Sequence, residues 1–242
     1  MSSKEPPAVF FQPTFRLDLP HGRCVGVALP ESGVEGDLQL SAALAALPEA
    51  ERRHLETLPE ARRASWAGGR IALRAALKDV GVGAGAVPIL STPRGAPVLP
   101  AGARGSISHK ESLAVALAAR AEVDEHASRL GIDIERVVPG KLDISKRVLR
   151  PDELAFLPPP GDPRRIEELA FAFSAKEAIF KALDPFVARY VSFQEVAVDR
   201  RSDGTAFATL DLRDGSSAAF EVDVLWFRRD DFIITTARVS YS

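Results

Sequence analysis

The chain of 242 residues has little cysteine, tryptophan and histidine, with one, two and four residues of each. The single cysteine, Cys24, excludes an internal disulfide and any metal site that needs several cysteines. The histidines show no metal-ligand spacing, which argues against zinc. No apolar run approaches the roughly 20 residues that a membrane-spanning helix needs. The phosphate-binding and dinucleotide-binding glycine motifs are also absent.

Excess charge is absent as well, since the formal net charge is only −2. Such a balance does not favour nucleic acid or an anionic membrane as a partner. The N-terminal stretch MSSKEPPAVFFQPTF contains an acid and three prolines but no sustained apolar segment, so it does not resemble a signal peptide. We therefore expect a cytoplasmic protein that neither binds nucleic acid nor inserts into a membrane.

Hydrophobic periodicity divides the first half of the chain into helices and strands. Residues 1–22 look irregular, and a strand is expected over residues 23–29. A helix is expected to begin near Pro48, and a second helix to cover residues 60–79. Further expected elements are strands over residues 87–90 and 113–119 and a charged loop over residues 120–129.

The second half combines one long helix with a β-meander. A strand is expected through Ile132 and Ile134, and Pro163 should start a long helix, capped by Asp162, that stops before Pro185. Two short helices should precede it, and four strands should follow it, at residues 144–149, 151–157, 195–198, 206–212, 218–227 and 232–239. The fold class is α+β (mixed α/β), with halves at residues 1–128 and 129–242.

Two pairs of charged residues are candidates for chemistry. Asp133 and Glu135 are two apart on the expected strand, so their carboxylates should share one face. Neighbouring carboxylates repel unless a cation or a proton lies between them, and Mg²⁺ prefers such oxygen ligands. Glu177 and Lys181 lie four apart on the long helix. The alternatives are a half-exposed strand and a surface ion pair, and the residues alone leave them open.

Five short motifs occur in a characteristic order: WAGGRIALRAAL, PRGAPVLPAG, GSISH, GIDIE and FSAKEAIFKAL. In this order they resemble the signature of the 4′-phosphopantetheinyl transferases, of the long, monomeric type. The Arg-Gly-x-Pro loop is similar to that of the branch of enterobactin synthetase component D. The resemblance implies two similar halves related by a pseudo-twofold axis, each with a long helix on a small, mostly antiparallel sheet.

The resemblance also implies an activity: transfer of 4′-phosphopantetheine from coenzyme A to a serine of an apo acyl, peptidyl or aryl carrier protein, with release of adenosine 3′,5′-bisphosphate. Coenzyme A would be the co-substrate, and Mg²⁺, for which Mn²⁺ could substitute, the cofactor. By resemblance Asp133, Glu135 and Glu177 would bind the metal, and Glu177 would be the general base. Lys181 would stabilise the pyrophosphate charge. The implied contacts of coenzyme A are Arg53, Arg70, Arg94, Gly95, Ser108, His109 and Lys181.

Four further expectations concern one departure from the family pattern, two alternative functions and the surface that would meet the carrier. Ala96 occupies a position where many members of the family carry lysine, so Arg94 is expected to supply the charge. A Ser–His hydrolase is disfavoured, because Ser108 and His109 are adjacent on a strand and point to opposite faces. A silent homologue that only binds coenzyme A or a carrier is the alternative function. An acidic carrier would be met by basic residues near the long helix, for which the candidates are Arg147, Arg150, Arg164 and Arg165.

Overall fold

The computed structural model describes residues 11–30, 34–121, 128–139 and 143–241. In the first half, the strands are β1 (Pro13–Leu19), β2 (Gly22–Ala28), β3 (Ala103–Lys110) and β4 (Leu113–Arg120), and the helices are α1 (Val34–Leu44), α2 (Glu49–Glu56) and α3 (Glu60–Asp79). The strands form an antiparallel sheet in the order β1-β2-β4-β3. Helix α3 buries its apolar stripe on this sheet, and the core includes Val25, Val27, Ala72, Leu73, Ala76, Leu77, Ala116 and Ala118.

The second half contains the longer helix and the larger sheet. Its strands are β5 (Ser128–Arg136), β6 (Val196–Arg200), β7 (Thr205–Leu210), β8 (Phe220–Arg229) and β9 (Phe232–Tyr241). Its helices are α4 (Ser145–Val148), α5 (Pro151–Phe156) and α6 (Pro163–Val187). The antiparallel sheet has the order β5-β9-β8-β7-β6, so the predicted meander is confirmed. Two antiparallel sheets with their helices confirm the α+β class.

Both halves share one strand arrangement. The strand before the long helix is β2 in the first half and β5 in the second. Each of these pairs with the last strand of its half, which in turn pairs with the strand before it: β2-β4-β3 matches β5-β9-β8. This common order is what two similar halves require. The predicted boundary after residue 128 falls one residue inside β5 and stays a prediction.

The two sheets meet along β3 and β5, where the halves share a core. In the first half this core includes Cys24 of β2 and Val115 and Leu117 of β4. In the second half it includes Leu130, Ile132 and Ile134 of β5 and Ile234 of β9. Ser108 Oγ of β3 donates a hydrogen bond to Asp133 of β5 at 2.8 Å, and Lys110 Nζ lies 2.6 Å from Glu135. The acidic strand and the Ser-His strand therefore face each other across the junction.

Two strand predictions in the first half were wrong. Within the predicted irregular segment 1–22, Pro13–Leu19 forms β1, because it pairs with β2 and buries Phe15. Residues 1–10 lie outside the described residues. Residues 87–90 form no strand, because this segment is held by side chains and only Ser91 and Pro97 make an isolated bridge. Of the predicted loop 120–129, Arg120 ends β4 and residues 128–129 begin β5, while 122–127 lie outside the described residues.

Helix α6 starts as predicted but ends later. Asp162 caps it by accepting a hydrogen bond from Arg164 N at 2.9 Å, and Pro163 opens its first turn. The prediction that it stops before Pro185 was wrong, since it continues to Val187 and ends at left-handed Ala188. An interior proline costs about 3 kcal/mol. Phe186 offsets part of this cost by packing on Phe220, with ring centroids 5.5 Å apart.

Candidate active site

Asp133 is the centre of a cluster at the junction of the halves. It is 5% exposed, and its Oδ1 accepts hydrogen bonds from Ser108 Oγ at 2.8 Å and from Lys181 Nζ at 2.7 Å. Lys181 Nζ also donates to the carbonyl of Ile132 at 2.9 Å. Strand β3, strand β5 and helix α6 each contribute one side chain, so the tertiary structure brings together three residues that sequence reasoning had singled out separately.

The second oxygen of Asp133 has no partner. Asp133 Oδ2 is buried and has no hydrogen bond to any part of the chain that the structure describes. A buried carboxylate oxygen without a donor is costly, so such an atom calls for a cation or a donor. The unpartnered Oδ2 therefore fits a cation bound at Asp133.

Glu135 and Glu177 complete the acidic trio, a name kept here for Asp133, Glu135 and Glu177. Burial raises the pKa of Glu135, and the charge of Asp133 adds to the increase while Lys110 opposes it. Burial also raises the pKa of Glu177, and Asp133 raises it further. The three carboxylates therefore act on one another electrostatically, as like charges sharing one site do.

The trio does not form a closed cage for a metal ion. Within the described ranges, no three acidic, histidine or cysteine side chains converge closely enough to hold one. The ammonium groups of Lys110 and Lys181 pair with Glu135 and Asp133 instead. Mg²⁺ usually takes only one or two carboxylates and completes its shell with waters and substrate phosphates. The donors present fit that mode of binding, in which the substrate supplies the remaining ligands.

A cleft of about 840 Å³ opens beside the trio and is lined by both halves. From the second half come Arg129, Leu130, Glu177, Phe180, Lys181, Asp184 and Pro185. The first half contributes side chains of α3, the residues of β3 from Ala103 to Ile107 with His109, and a hairpin of residues 90–98 that we call the wall hairpin. The lining is rich in cationic side chains, which suits a ligand that carries several phosphates.

Arg70 joins helix α3 to the wall hairpin. It is 6% exposed, and its guanidinium donates to the carbonyl of Ile89 at 3.2 Å and to Ser91 Oγ at 2.7 Å while it lies 3.9 Å from the ring centre of Trp66. Burial lowers the pKa of Arg70 to about 10, which leaves the group charged at neutral pH. The predicted residue therefore lies in the wall of the cleft, with its charge beside the ligand space.

His109 lies in the same cleft, on the opposite strand face from Ser108. The surrounding protein lowers the pKa of His109, first by desolvation and then through the positive charges of Lys181 and Arg62. Arg62 also lines the cleft, and sequence reasoning missed it. A signal was present, because Arg62, Trp66 and Arg70 are four apart and form one stripe of α3.

Arg94 and Gly95 lie at the tip of the wall hairpin. Thr92 N donates to the carbonyl of Ala96 at 2.8 Å, and Gly95 adopts a positive φ of 89° that this tight turn requires. Arg94 Nε lies 2.9 Å from both carboxylate oxygens of Asp184 on α6. Arg94 thus ties the two halves across the mouth of the cleft, and Ala96 lines it without contributing charge.

Arg53 is the one predicted contact of coenzyme A that lies away from this cluster. It is on α2, its side chain is 75% exposed, and it pairs with Glu49 one turn earlier. It is not among the residues that line the cleft. Along the sequence Arg53 and Arg62 look alike, but only Arg62 reaches the space beside His109.

Comparisons with known proteins agree with the site. Residues 50–119 match the 4′-phosphopantetheinyl transferase N-terminal domain, and residues 129–237 match the 4′-phosphopantetheinyl transferase superfamily. The 4′-phosphopantetheinyl transferase Npt of Nocardia iowensis is 30% identical over 201 residues, which cover 77% of this chain and 86% of the relative. Enterobactin synthase component D of Salmonella typhimurium is 30% identical over 191 residues, or 78% of this chain and 76% of the relative.

Among solved structures, a holo-(acyl-carrier-protein) synthase from Bacillus anthracis is 24% identical, with a TM-score of 0.39 over 47% of this chain and 96% of the other. The two family matches and the two relatives define the class: this chain belongs to the 4′-phosphopantetheinyl transferase superfamily. It is a transferase that moves phosphopantetheine from coenzyme A to a carrier protein, and its relatives include the enterobactin synthase type. No helix in the described ranges is long and apolar enough to cross a membrane.

Proposed function

We propose that the chain catalyses this transfer with Mg²⁺, to a serine hydroxyl of an apo acyl, peptidyl or aryl carrier protein. The serine oxygen forms a bond to the phosphorus that carries pantetheine, the bond from that phosphorus to the bridging oxygen breaks, and adenosine 3′,5′-bisphosphate leaves. The observation that carries the proposal is the buried, unpartnered Oδ2 of Asp133. The carboxylate of Asp133 pairs with Lys181, and Lys181 and Glu177 line a cleft rich in cationic side chains.

The metal would take one or two of its ligands from the acidic trio, and waters and substrate phosphates would supply the rest. Asp133 offers its unpartnered oxygen, and Glu135 and Glu177 are the further carboxylates near it. Mg²⁺ bound there would neutralise the charge that develops on the pyrophosphate, and Mn²⁺ has similar ligand preferences. Ser108 and Lys181 both bond to Asp133 Oδ1, so they would hold this carboxylate in one orientation.

Glu177 would accept the proton of the carrier serine, directly or through a water. Burial and the neighbouring Asp133 raise the pKa of this carboxyl group, which makes it a stronger base than an exposed glutamate. Lys181, one turn further along α6, faces the same cleft and would stabilise the negative charge of the leaving group. Both groups come from the rigid middle of a helix, which limits their movement during the reaction.

The first half would bind the nucleotide. Arg62, Arg70 and His109 lie together at one end of the cleft, and arginine suits bidentate contact with a phosphate. The wall hairpin, with Arg94 and Gly95, would cover the coenzyme from the side. Ser108 contributes mainly through Asp133, because its hydroxyl is already donated to that carboxylate.

The carrier would approach the second half near α4 and the start of α6. Arg147 is exposed, and Arg164 is exposed although it pairs with Asp162 at 2.6 Å. Arg165 is instead fixed by the carbonyl of Pro158 at 2.8 Å, and Arg150 pairs with Asp152. We therefore assign the carrier contact to Arg147 and Arg164.

Because both halves of the site lie in one chain, we propose that the protein is a monomer. We also propose that it acts in the cytoplasm.

A mass measurement tests the proposal directly. The protein is mixed with coenzyme A, Mg²⁺ and a panel of apo carriers, and the carriers are examined for the phosphopantetheine mass increment. A carrier whose target serine is replaced by alanine is the control. An increment that appears without added divalent cation, in the presence of EDTA, would contradict the metal assignment. Binding of coenzyme A without any increment would favour the silent homologue.

A further inference from the structure

The wall hairpin has little secondary structure of its own to fix it. The backbone bonds within it that the structure describes are few. Thr92 N donates to Ala96 O at 2.8 Å, Gly95 N to Thr92 O at 2.9 Å and Val98 N to Leu90 O at 2.9 Å, and Ser91 bridges Pro97. The segment that leads into it, residues 81–89, forms no strand or helix. Yet the hairpin forms one wall of the cleft. Its position must therefore be set by side chains of neighbouring elements.

Glu51 of α2 is the anchor beneath this segment. It is 0% exposed, lies outside the lining of the cleft, and accepts a hydrogen bond from the backbone N–H of Ile89 at 2.5 Å. It also pairs with the guanidinium of Arg74 on α3. A fully buried carboxylate is expensive unless its partners are fixed. Glu51 has such partners on the helix behind the cleft and on the strandless segment, and both bind Oε1. Its Oε2 is buried and has no hydrogen-bond partner among the described residues.

Arg74, which pairs with Glu51, also holds the backbone of the segment that leads into the wall hairpin. Its guanidinium donates to the carbonyl of Gly85 at 3.0 Å and to that of Val87 at 2.8 Å. Arg70 adds the carbonyl of Ile89 and the hydroxyl of Ser91. Five polar groups between residues 85 and 91 are therefore held by Glu51 and two arginines of α3.

We propose that Glu51 is a positioning residue for the binding of coenzyme A. Through its bonds to the Ile89 N–H and to Arg74, Glu51 sets the distance of the wall hairpin from α3. The inference rests on the proposed function, because it assumes that the cleft takes coenzyme A. Glu51 touches neither the substrate nor the reacting atoms. Its loss should displace Ser91, Thr92 and Gly95 in the cleft wall while the acidic trio on β5 and α6 stays in place.

The decisive variant is Glu51→Gln. Glutamine keeps an oxygen for the Ile89 N–H but removes the charge that holds Arg74, so the segment can shift. We expect the KM for coenzyme A to rise roughly tenfold to 10²-fold, as misplacement of a binding group by about 1 Å can do. The KM for the carrier and the kcat at saturating coenzyme A should change little. The Kd for coenzyme A, measured without carrier, should rise by the same factor as the KM.

Glu195 supplies the matched control. It is also a buried glutamate, 3% exposed, that accepts from an arginine (Arg189, 2.8 Å) and from the backbone N–H groups of Ser192 (2.9 Å) and Arg213 (3.0 Å). It lies in the second half and outside the lining of the cleft. Glu195→Gln should lower the melting temperature but leave the KM for coenzyme A unchanged. A Glu51→Gln protein that loses stability with an unchanged KM would reduce Glu51 to a structural residue and overturn the inference.

Arg74→Lys decides the matter if Glu51→Gln does not fold. Lysine keeps the charge but cannot bond Glu51, Gly85 O and Val87 O at once. We expect a rise of about threefold to tenfold in the KM for coenzyme A, and an effect in the double variant that is smaller than the product of the single effects. A folded Arg74→Lys protein with the wild-type KM would also overturn the inference. Absence of transfer by the wild-type protein would instead contradict the proposed function, so the two failures are distinguishable.

Discussion

The two halves share a strand order and a long helix, but they present different charges to the cleft: the charged side chains of the first half that line it are all basic, whereas the second half lines it with both acidic and basic side chains. The first half offers cations, with Arg62 and Arg70 on α3, next to His109 on β3. The second half offers the carboxylates of Glu177 and Asp184 on α6, together with Lys181, which pairs with the buried Asp133 behind the lining. A repeated architecture has thus acquired two different surfaces that face each other.

This difference suggests a division of labour. Clustered cations bind phosphates, whereas a carboxylate with a raised pKa, such as Glu177, can accept a proton, and carboxylates can hold a metal cation. Changes in the first half should therefore affect the KM for coenzyme A, and changes in the second half should affect kcat. The following variants test whether that separation holds.

Asp133→Ala should have the largest effect. It removes the buried acceptor of Ser108 and Lys181 and the oxygen assigned to the metal, so we expect kcat to fall by roughly 10²-fold or more. Steady-state transfer assays with saturating coenzyme A and carrier measure it. Asp231→Ala, which removes an exposed carboxylate between β8 and β9, is the control and should keep full activity. Full activity in Asp133→Ala would refute the catalytic role of the second half.

Glu177→Gln should reduce kcat by about 10²-fold, within the range that general bases contribute. A base acts only when deprotonated, and burial with the charge of Asp133 raises the pKa of Glu177 above its usual value. In the wild-type protein, activity should therefore fall as the pH decreases through that raised pKa. The profile of kcat against pH should lose this acidic limb in the glutamine variant. An unchanged limb would assign the proton acceptor elsewhere.

Arg62→Ala and Arg53→Ala form a matched pair of exposed arginines on successive helices. Arg62 lines the cleft beside His109, whereas Arg53 pairs with Glu49 outside it. Loss of a charged hydrogen bond to phosphate should raise the KM for coenzyme A about tenfold in Arg62→Ala, with kcat nearly constant. Arg53→Ala should match the wild type. The reverse pattern would support Arg53, which the family resemblance implied, over Arg62.

Charge reversal on the surface of this chain that would contact the carrier should have a smaller effect on the kinetics. In the double variant Arg147→Glu/Arg164→Glu we expect the KM for an acidic carrier to rise about threefold to tenfold, because rim charges mainly steer association. The KM for coenzyme A should stay constant, and the effect should shrink at high salt. Arg53→Glu makes the same substitution at one exposed arginine of the first half, with half the charge change, and serves as control. Unchanged carrier kinetics would place the carrier elsewhere.

The smallest expected effect is on folding stability, and it concerns the contact between the two sheets away from the cleft. His21, in the turn between β1 and β2, is 2% exposed and contacts Thr236 Oγ1 at 2.8 Å and Asp223 at 3.1 Å, both in the second sheet. Burial lowers the pKa of His21 and outweighs Asp223. The folded state thus favours neutral histidine, and stability should decrease as the pH falls through the unfolded value near 6.5 towards the lower folded pKa. Denaturant unfolding of His21→Gln should show a weaker pH dependence over this window.

Several elements could be predicted because their signals are local. Helix α3 has the predicted bounds, since Pro59 and the glycines after Asp79 delimit a clear apolar stripe. Strand β1 was missed, because flanking prolines obscured the alternation of Phe15, Leu17 and Leu19, and pairing with β2 decides its conformation. Likewise Pro185 did not end α6, because packing of Phe186 on the second sheet outweighs a local preference.

The same distinction applies to the site. The sequence by itself determined the family and the α+β class and singled out Asp133, Glu177 and Lys181 as candidates, because their motifs are short and contiguous. Only the tertiary structure decided that Arg62 rather than Arg53 lines the cleft, that Ser108 bonds to Asp133, and that Glu51 bonds to the segment leading into the wall hairpin. These are contacts between distant segments. Burial and the packing of one sheet against the other determine them, and neither can be read from local patterns.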